Sequence, residues 1–596
     1  MHRTKRWQIS PADPAAGELA GRLKVSPLVA QMLLNRGISL ADDAQSFLRP
    51  SLKLLADPAL IPGLPAAAQR IARAIADREK IVIYGDYDVD GITATTILWH
   101  AITLLGGVVD TYIPHRIDEG YGLGAEAIGQ IIDQGARLIV SVDCGITAIE
   151  QAKIARDRGV DLIITDHHEW HGNPPSLPEC FGIVHPRLPA EVMYPNPHLC
   201  GAGVAFKLAW GIGQAVCGMS RVTESFRNFL IEATALAALG TIADVVPLVG
   251  ENRILAHFGL GGLKESKLTG IRALIASAAL TGQKLDSYHV GFLLAPRLNA
   301  CGRLGHAALA VEMLTTAGEA RANEIAIYLE EQNRARQGVE KEILEQALAQ
   351  VQANGWDGDD HRALVLGAEG WHAGVIGIVA SRLVDRFCKP TVMVSLNNGH
   401  GQGSARSIAG FHLAHALEAC GSHLLSYGGH EMAAGLKLET SRFEEFRSAF
   451  RDFARTAVTD EMLVPQLRLE CIADITQITE ALVMDLRRLG PCGHGNPKPL
   501  LCMKGARVGS APRRVGKTGD HLQILIKQEE KTMRAIAFGC GDMIDRLGTG
   551  TLIDLAVEPS INEFNGRSNV ELLIKDIQFA DGSRTDCPAP SSPIAD

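Results

Sequence analysis

The sequence predicts an α/β protein, with two α/β lobes joined by one long helix and followed by a smaller strand-rich domain. Three observations carry this expectation. Short β-branched apolar runs alternate with amphipathic stretches over 80–165 and again over 363–395, the pattern of parallel strands with crossover helices. Residues 319–354 are rich in Ala, Glu, Gln and Arg, contain no proline, and read as a single helix connecting the lobes. From about residue 465 the chain breaks into short strand-like pieces separated by Gly, Pro and charged turns, which suggests a small barrel or sandwich.

In chain order, residues 1–65 read as a helical lead-in punctuated by Pro50, Pro58, Pro62 and Pro65. The first lobe is expected over 66–318. It opens with a strand at 80–84 and a helix at 92–105 that stops at Gly106-Gly107. A strand at 108–113, a helix at 125–134 ended by Gly135, and a strand at 138–142 follow. A helix at 148–158 ended by Gly159 leads to a strand at 161–165, and 201–314 is mostly helical. The connector covers 319–354. The second lobe covers 355–464, with a strand at 363–366, a helix at 376–387 and a strand at 391–395. The last domain spans 465–580, and 581–596, rich in Pro, Ser and Asp, reads as a disordered tail.

Hydrophobic residues make up 46% of the 596 and charged residues 21%, so large cores are possible and wholesale disorder is excluded. Lys and Arg number 58 against 67 Asp and Glu, a net charge of −9, so any polyanion must bind in a local basic groove. No continuous apolar run reaches the ~18 residues of a membrane span, and 1–10 carries basic residues with no apolar core behind them, so no membrane association or secretory signal is expected. The 12 cysteines form no Cys-x-x-Cys pair, which fits a reducing, cytoplasmic setting.

The chemistry concentrates where the first lobe's strands end. The first strand runs into Asp86-Tyr87-Asp88-Val89-Asp90-Gly91, whose three carboxylates at spacing two point to one region if the segment stays extended. The 138–142 strand ends in Asp143 and the 161–165 strand in Asp166-His167-His168. Open α/β sheets place their ligand crevice at these carboxyl ends. Clustered carboxylates without basic neighbours call for a divalent cation. The added imidazole suits Mn²⁺ or Mg²⁺ and favours Mn²⁺, and there are carboxylates enough for two ions.

Asp88-Val89-Asp90-Gly91 together with Asp166-His167-His168 resembles the DHH phosphoesterase superfamily, and Thr241-Ile242-Ala243-Asp244-Val245-Val246-Pro247-Leu248 resembles its fourth acidic motif. Further stretches occur in order: Ala295-Pro296-Arg297-Leu298-Asn299-Ala300-Cys301-Gly302-Arg303, Glu369-Gly370-Trp371-His372-Ala373-Gly374, Gly403-Ser404-Ala405-Arg406-Ser407, and Tyr427-Gly428-Gly429-His430. Together they are similar to the RecJ branch, bacterial exonucleases specific for single-stranded DNA. Cys301 stands where a small Ala is usual and His185-Pro186 where Asn-Pro is usual.

The resemblance implies a DHH domain, a DHH-associated domain, a C-terminal oligonucleotide-binding barrel, and hydrolysis of phosphodiester bonds from the 5′ end in DNA repair and recombination. It implies Asp86, Asp88, Asp90, Asp143, His167 and Asp244 as ligands of two Mn²⁺ or Mg²⁺ ions. By the same resemblance Asp143 is expected to bridge them and serve catalysis, and His168 to contact the scissile phosphate. In the family the strand threads between the lobes. Substrate contacts are then expected from Arg297, Asn299 and Arg303, and from Ser404, Arg406, Ser407, Gly428, Gly429 and His430, where a Gly-rich turn and an arginine fork suit phosphate. The barrel's basic stretch, Arg513, Arg514 and Lys517 with His521, Lys527 and Arg534, is expected to hold the strand mainly by its backbone, because aromatics there are few. The resemblance also suggests a monomer cooperating with a helicase and a single-stranded-DNA-binding protein. Two other readings stay open: a small-molecule or short-oligonucleotide phosphodiesterase or pyrophosphatase, and a strand-binding scaffold without activity. The length of the chain argues against the first and the intact acids against the second.

Overall fold

The computed structural model describes residues 5–115, 119–120, 122–170, 172, 176–218, 221–304, 306–564, 567–579 and 584–585. The tail expected over 581–596 lies outside them, apart from Arg584–Thr585, which pairs with the strand Arg567–Phe579. The chain forms two compact units, each built from separated stretches. One comprises Ser46–Ala335 and Leu489–Lys498; the other comprises Met1–Gln45, Arg336–Arg488 and Pro499–Asp596.

The unit built on Ser46–Ala335 holds a five-stranded sheet that is parallel throughout. From edge to edge its strands are Val108–Tyr112, Lys80–Gly85, Leu138–Val142, Asp161–Thr165 and Gly182–Val184. Helices cover both faces, which is why the central strands are apolar without alternation. Leu64–Ala76, Val89–Leu104 and Gly201–Cys217 pack on one face, Ala125–Asp133 and Ile149–Asp157 on the other. The connection out of Lys80–Gly85 goes to one side and the later strands add on the other. The topological switch point, where open sheets open a crevice, therefore lies between Lys80–Gly85 and Leu138–Val142. Gly182–Val184 is too short to have been read from sequence. The helix Glu224–Ala243 is long and apolar enough on average to cross a membrane, where no such span was expected. Its apolarity is spread over alanines instead of a continuous run, and 67% of its window is buried, as in a core helix.

The helix Glu319–Ala353 runs unbroken for 35 residues, and the boundary between the units falls within it, after Ala335. In the other unit, a five-stranded sheet runs Ser426–Gly429, Ala433–Glu439, His400–Arg406, Thr391–Asn397, Leu364–Glu369; only the last pair is parallel. Beyond it, Leu501–Val508, Leu552–Phe564, Arg567–Phe579, Lys531–Ala537 and His521–Gln528 pair in succession. His521–Gln528 pairs back to Leu501–Val508, so these five strands close into a ring. Among the described residues, closure leaves no long unpaired edge.

The lead-in is not purely helical. Arg6–Ile9 is a strand paired in parallel with Gln466–Leu469, and Trp7 Nε1 donates to Asp576 Oδ2 at 2.6 Å. The helices Ala16–Leu23 and Pro27–Asn35 follow, and Asn35 and Arg36 reach Glu470. A four-residue strand whose partner lies some 460 residues away has no local signature. One consequence is that truncation before residue 465 would strip the N-terminal segment of its partners, so it is a poor test of the C-terminal domain alone. A second is that Trp7→Phe, which removes the indole donor from a carboxylate that is 3% exposed, should lower stability by ~1–2 kcal/mol. Urea unfolding with the midpoint compared at equal slope checks this; an unchanged midpoint would mean the indole bond contributes nothing.

Candidate metal centre

The acidic segment does not stay extended. The strand Lys80–Gly85 delivers Asp86, the chain turns, and Asp88 becomes the N-cap of the helix Val89–Leu104, accepting from Asp90 N at 2.9 Å and Gly91 N at 3.1 Å. The turn divides the three carboxylates. Asp86 and Asp88 gather with Asp143, whereas Asp90, in the helix's first turn, gathers with His167 and Asp244; within each set the candidate ligand atoms lie within 4.8 Å of one another. Asp143, His167 and His168 form a third such set. The Asp86–Gly91 turn is tight: a Cβ at Gly91 would lie 2.6 Å from the Asp86 carbonyl oxygen.

Asp143 follows Leu138–Val142 at φ +62°, left-handed backbone that costs a non-glycine residue roughly 1–2 kcal/mol. It is 2% exposed, and its Oδ1 lies 3.1 Å from His167 Nε2. His167 Nε2 also lies 3.8 Å from Asp90 Oδ2 and 3.6 Å from Asp244 Oδ2. Asp143 Oδ1 and His167 Nε2 are both buried with no hydrogen-bond partner. Buried polar atoms are normally satisfied; two orphaned ligand atoms aimed at a ring of carboxylates fit a bound cation. The set of carboxylate oxygens and one imidazole nitrogen fits Mn²⁺ or Mg²⁺.

The supporting structure is specific. The N-terminus of Gly201–Cys217 holds Asp90 through Gly201 N to Oδ2 (2.5 Å) and Ala202 N to Oδ1 (2.8 Å), placing a helix dipole's positive end on a buried carboxylate. Only glycine fits at two neighbouring positions. A Cβ at Gly201 would come within 2.6 Å of the Asp143 side chain, and one at Gly240 within 2.4 Å of Asp90 Oδ1. Asp166 lies outside the proposed ligand set. Its Oδ1 accepts from His167 N (2.7 Å), His168 N (3.1 Å) and His168 Nδ1 (2.7 Å), and its Oδ2 from Ile146 N (2.9 Å). It shapes the turn and aims both histidines.

Metal-free, the centre is electrostatically frustrated. Burial, then the charges of Asp90, Asp88, Asp86 and Asp244, push the Asp143 carboxyl well above its ordinary range. Burial raises Asp90, and burial with Asp90 and Asp88 pushes Asp244 up to about 9. Burial and the neighbouring His168 lower His167 to about 4, which keeps it neutral, the form a metal needs. Burial also works against a charge on His168, but the Asp166 hydrogen bond and carboxylate charge prevail and raise it to about 9.

Sequence reasoning noted His185 only as a departure from the family pattern and missed Arg187. His185 is fully buried; its Nδ1 accepts from Arg187 N at 3.1 Å, so its Nε2 is the donor to His168 O at 2.9 Å. Arg187 Nη2 donates to His167 O. An asparagine can make the same two bonds, its Oδ1 accepting from the amide two residues on and its Nδ2 donating. That is the physical sense of a histidine where Asn-Pro is usual. His185→Phe should weaken Mn²⁺ affinity and cleavage ~10–100-fold, the effect of losing an outer-shell partner, whereas His185→Asn should retain most of both. Calorimetric Mn²⁺ titration checks this, and equal damage by Phe and Asn would refute the hydrogen-bond account.

Several expected substrate contacts are engaged otherwise. Arg297 is 8% exposed, donates to Leu293 O, and pairs with Glu330 at 2.8 Å. Asn299 Oδ1 accepts from Val89 N at 3.2 Å, fixing the start of the helix that carries Asp90. The side chain of Arg303 lies outside those described. In the other unit, the glycine-rich turn expected around Ser404 and Arg406 is a strand, His400–Arg406; a Cβ at Gly403 would meet Leu436 at 2.7 Å, so that glycine serves packing. Gly428 and Gly429 lie on Ser426–Gly429, likewise a strand and not a turn, exposed and followed by the exposed His430. Ser407 is 4% exposed and donates to Phe411 O at 2.6 Å, a structural bond. Arg406 pairs with no carboxylate among the described residues; its Nη1 reaches only Ser404 Oγ (3.1 Å) and Ala405 O (2.8 Å), and burial lowers its pKa. Such an arginine suits an incoming anion. Arg513, Arg514 and Lys517 are exposed.

Family models match three stretches: "DHH family, N-terminal domain" over residues 80–241, "DHHA1 domain" over 360–456 and "RecJ OB domain" over 469–576. The single-stranded-DNA-specific exonuclease RecJ of Bacillus subtilis is 37% identical over 574 residues, covering 96% of this chain and 70% of that protein. RecJ of Dickeya dadantii is 34% identical over 560 residues, covering 92% and 95%. The crystal structure of RecJ in complex with Mn²⁺ from Thermus thermophilus superposes with a TM-score of 0.82 at 31% identity, covering 96% of this chain and 80% of that one.

Proposed function

The chain belongs to the RecJ family, and from that premise we infer that it is a metal-dependent exonuclease hydrolysing phosphodiester bonds of single-stranded DNA. Its direction is 5′→3′ and its setting DNA repair and recombination in the cytoplasm. The observation that most supports it is the convergence, at the sheet's switch point, of Asp86, Asp88, Asp90, Asp143, His167 and Asp244 around two orphaned ligand atoms.

Two Mn²⁺ or Mg²⁺ ions bound here would supply Lewis acidity and lower the pKa of water. The chain's own residues do the rest. Asp86 and Asp88 would hold one ion, Asp90, His167 and Asp244 the other, and Asp143 would be shared between them. The amides of Gly201 and Ala202 hold Asp90 in place, the Ala202 bond opposing the burial that raises its pKa. His168, charged through Asp166, neutralises a non-bridging phosphate oxygen. Arg406 and Ser404 receive a phosphate on the second lobe (355–464), with Gly428 and Gly429 on the edge strand two places away and His430 following them, while Asn299 fixes the start of the catalytic helix. Arg513, Arg514 and Lys517 hold the strand's backbone on the C-terminal ring, as the oligonucleotide-binding domain match supports. We assign a monomer working with a helicase and a single-stranded-DNA-binding protein.

One assay tests this reading: end-labelled single-stranded DNA, duplex DNA and a dinucleotide, each with Mn²⁺, Mg²⁺ or EDTA. The expected result is stepwise loss of nucleotides from the 5′ end of the single strand, with Mn²⁺ or Mg²⁺ only. Preference for the dinucleotide would favour the small-substrate reading, and no cleavage the scaffold reading.

A further inference from the structure

The helix that carries Arg297 and Asn299 is preceded by a π-helical segment, His289–Leu294, and the two run on without a break into Ala295–Leu304. π-Helical turns are rare and concentrate at functional sites. Two observations place this stretch near the metal centre. At Gly291 a Cβ would come within 3.9 Å of Ile242, two residues before Asp244. Further on, Asn299 Oδ1 accepts from Val89 N, between Asp88 and Asp90. Val290 and Leu294 are fully buried and fix the segment's rotation.

On its outer side stand Tyr288 and Phe292, 39% and 59% exposed, with ring centroids 5.0 Å apart and planes 27° from parallel. The two rings stack on each other while both remain exposed, Tyr288 also meeting the His289 ring edge-on, and aromatics are only 5% of this sequence. Phe292 precedes Asn299 by seven residues, ~10 Å along a helix axis, or about three nucleotides at the ~3.4 Å rise of a stacked strand. Among the described side chains of this stretch, Arg297 is engaged with Glu330 and Leu293, and His289 with Asp286 at 2.6 Å. Tyr288 and Phe292 offer a strand a hydrophobic, planar surface, the complement of a nucleobase.

We propose that Tyr288 and Phe292 form a stacking platform for one base of the single-stranded DNA, a few nucleotides from the cleaved bond. The proposal rests on the exonuclease reading for its ligand. It places base stacking in the catalytic unit, whereas the C-terminal ring, poor in aromatics, holds the backbone. A stack of this kind tolerates any base, since every base has a π-face.

The test is an abasic scan. A set of fluorescent single strands, each lacking one base at successive positions from the 5′ end, is titrated with the full chain in Ca²⁺, and anisotropy gives each Kd. The wild-type protein should bind one or two adjacent abasic positions roughly 5- to 140-fold more weakly, the ~1–3 kcal/mol of a base–aromatic stack at 1.4 kcal/mol per tenfold. In Phe292→Ala and in Tyr288→Ala that position-specific penalty should shrink or vanish, and Phe292→Tyr should keep it. Both side chains are exposed, so the variants should fold, as thermal melts would show. A flat scan in the wild type, or the same penalty in Phe292→Ala, overturns the platform. Failure of the exonuclease reading looks different: a wild-type protein that shows the abasic penalty yet cleaves nothing in Mn²⁺.

Discussion

Asp143→Asn is expected to abolish cleavage, by more than about 10³-fold, while raising the thermal stability of the metal-free protein. The first half follows from position. Asp143 is the residue shared between the Asp86–Asp88 side and the His167 side of the centre, so its loss damages both ligand sets, beyond the ~10–100-fold of an outer-shell change. The second half follows from charge. Asp143 is buried among Asp90, Asp88, Asp86 and Asp244, and its carboxyl is raised for that reason. Asparagine removes the repulsion, keeps the shape, and is among the residues that best tolerate the left-handed backbone found here. The same electrostatics give a pH dependence. Asp244 moves from an ordinary 3.8 up to about 9. The folded, metal-free protein therefore binds more protons than the unfolded chain between those values, and its stability should fall as pH rises through that window. Mn²⁺ should reverse the trend, since it binds only the folded site. Calorimetric melts in EDTA and in Mn²⁺, across that range, check all of this. A variant that melts lower in EDTA than the wild type, or that still gains full stabilisation from Mn²⁺, would falsify the shared-ligand assignment.

The first sheet and its carboxyl-end acids were legible because each signal is local: an apolar β-branched run, a glycine stop, an aspartate after the strand. What local reading got wrong was the path between the acids. Asp86, Asp88 and Asp90 were expected to project together from an extended segment, yet Asp88 caps a helix and carries Asp90 round to the His167 side. Asp-x-Asp-Gly before an apolar helical run is an N-cap signature, and it was present in the sequence. Gly201 and Gly240 could not be read, since their necessity depends on side chains of Asp143 and Asp90 over 50 residues away. Arg297 misled for a related reason: an arginine in a polar motif looks like a phosphate ligand until Glu330, on the following long helix, is seen against it. The same holds for Arg6–Ile9, which is defined only by its pairing with Gln466–Leu469.

His168→Ala should slow cleavage ~10²–10³-fold, the range for removing one preorganised donor from a developing anion, with Mn²⁺ affinity nearly unchanged. The geometry separates the two histidines. His167 turns an unpartnered Nε2 toward Asp143, Asp90 and Asp244 and is held neutral at about 4. His168 has its Nδ1 committed to Asp166 at 2.7 Å, is 39% exposed, and is raised to about 9, so it brings a charged ring to the edge of the centre. A cation is a poor metal ligand and a good phosphate partner. The raised value means the charge is present at neutral pH and is lost as pH climbs through it, so the rate at saturating Mn²⁺ should decline on the alkaline side. Bound cations lower the absolute position of that limb; the comparison that matters is with Asp166→Asn. There His168 loses its counter-charge, its pKa drops toward the ordinary 6.5, and the limb should move to lower pH. Saturating metal is essential, because the raised carboxylates make metal affinity itself improve with pH. Titrating activity with Mn²⁺ distinguishes the roles. A lowered plateau at unshifted metal concentration marks His168 as a phosphate contact. A curve displaced to higher Mn²⁺ that still reaches the wild-type plateau would make it a ligand, and the charge supplied through Asp166 would then have no catalytic purpose.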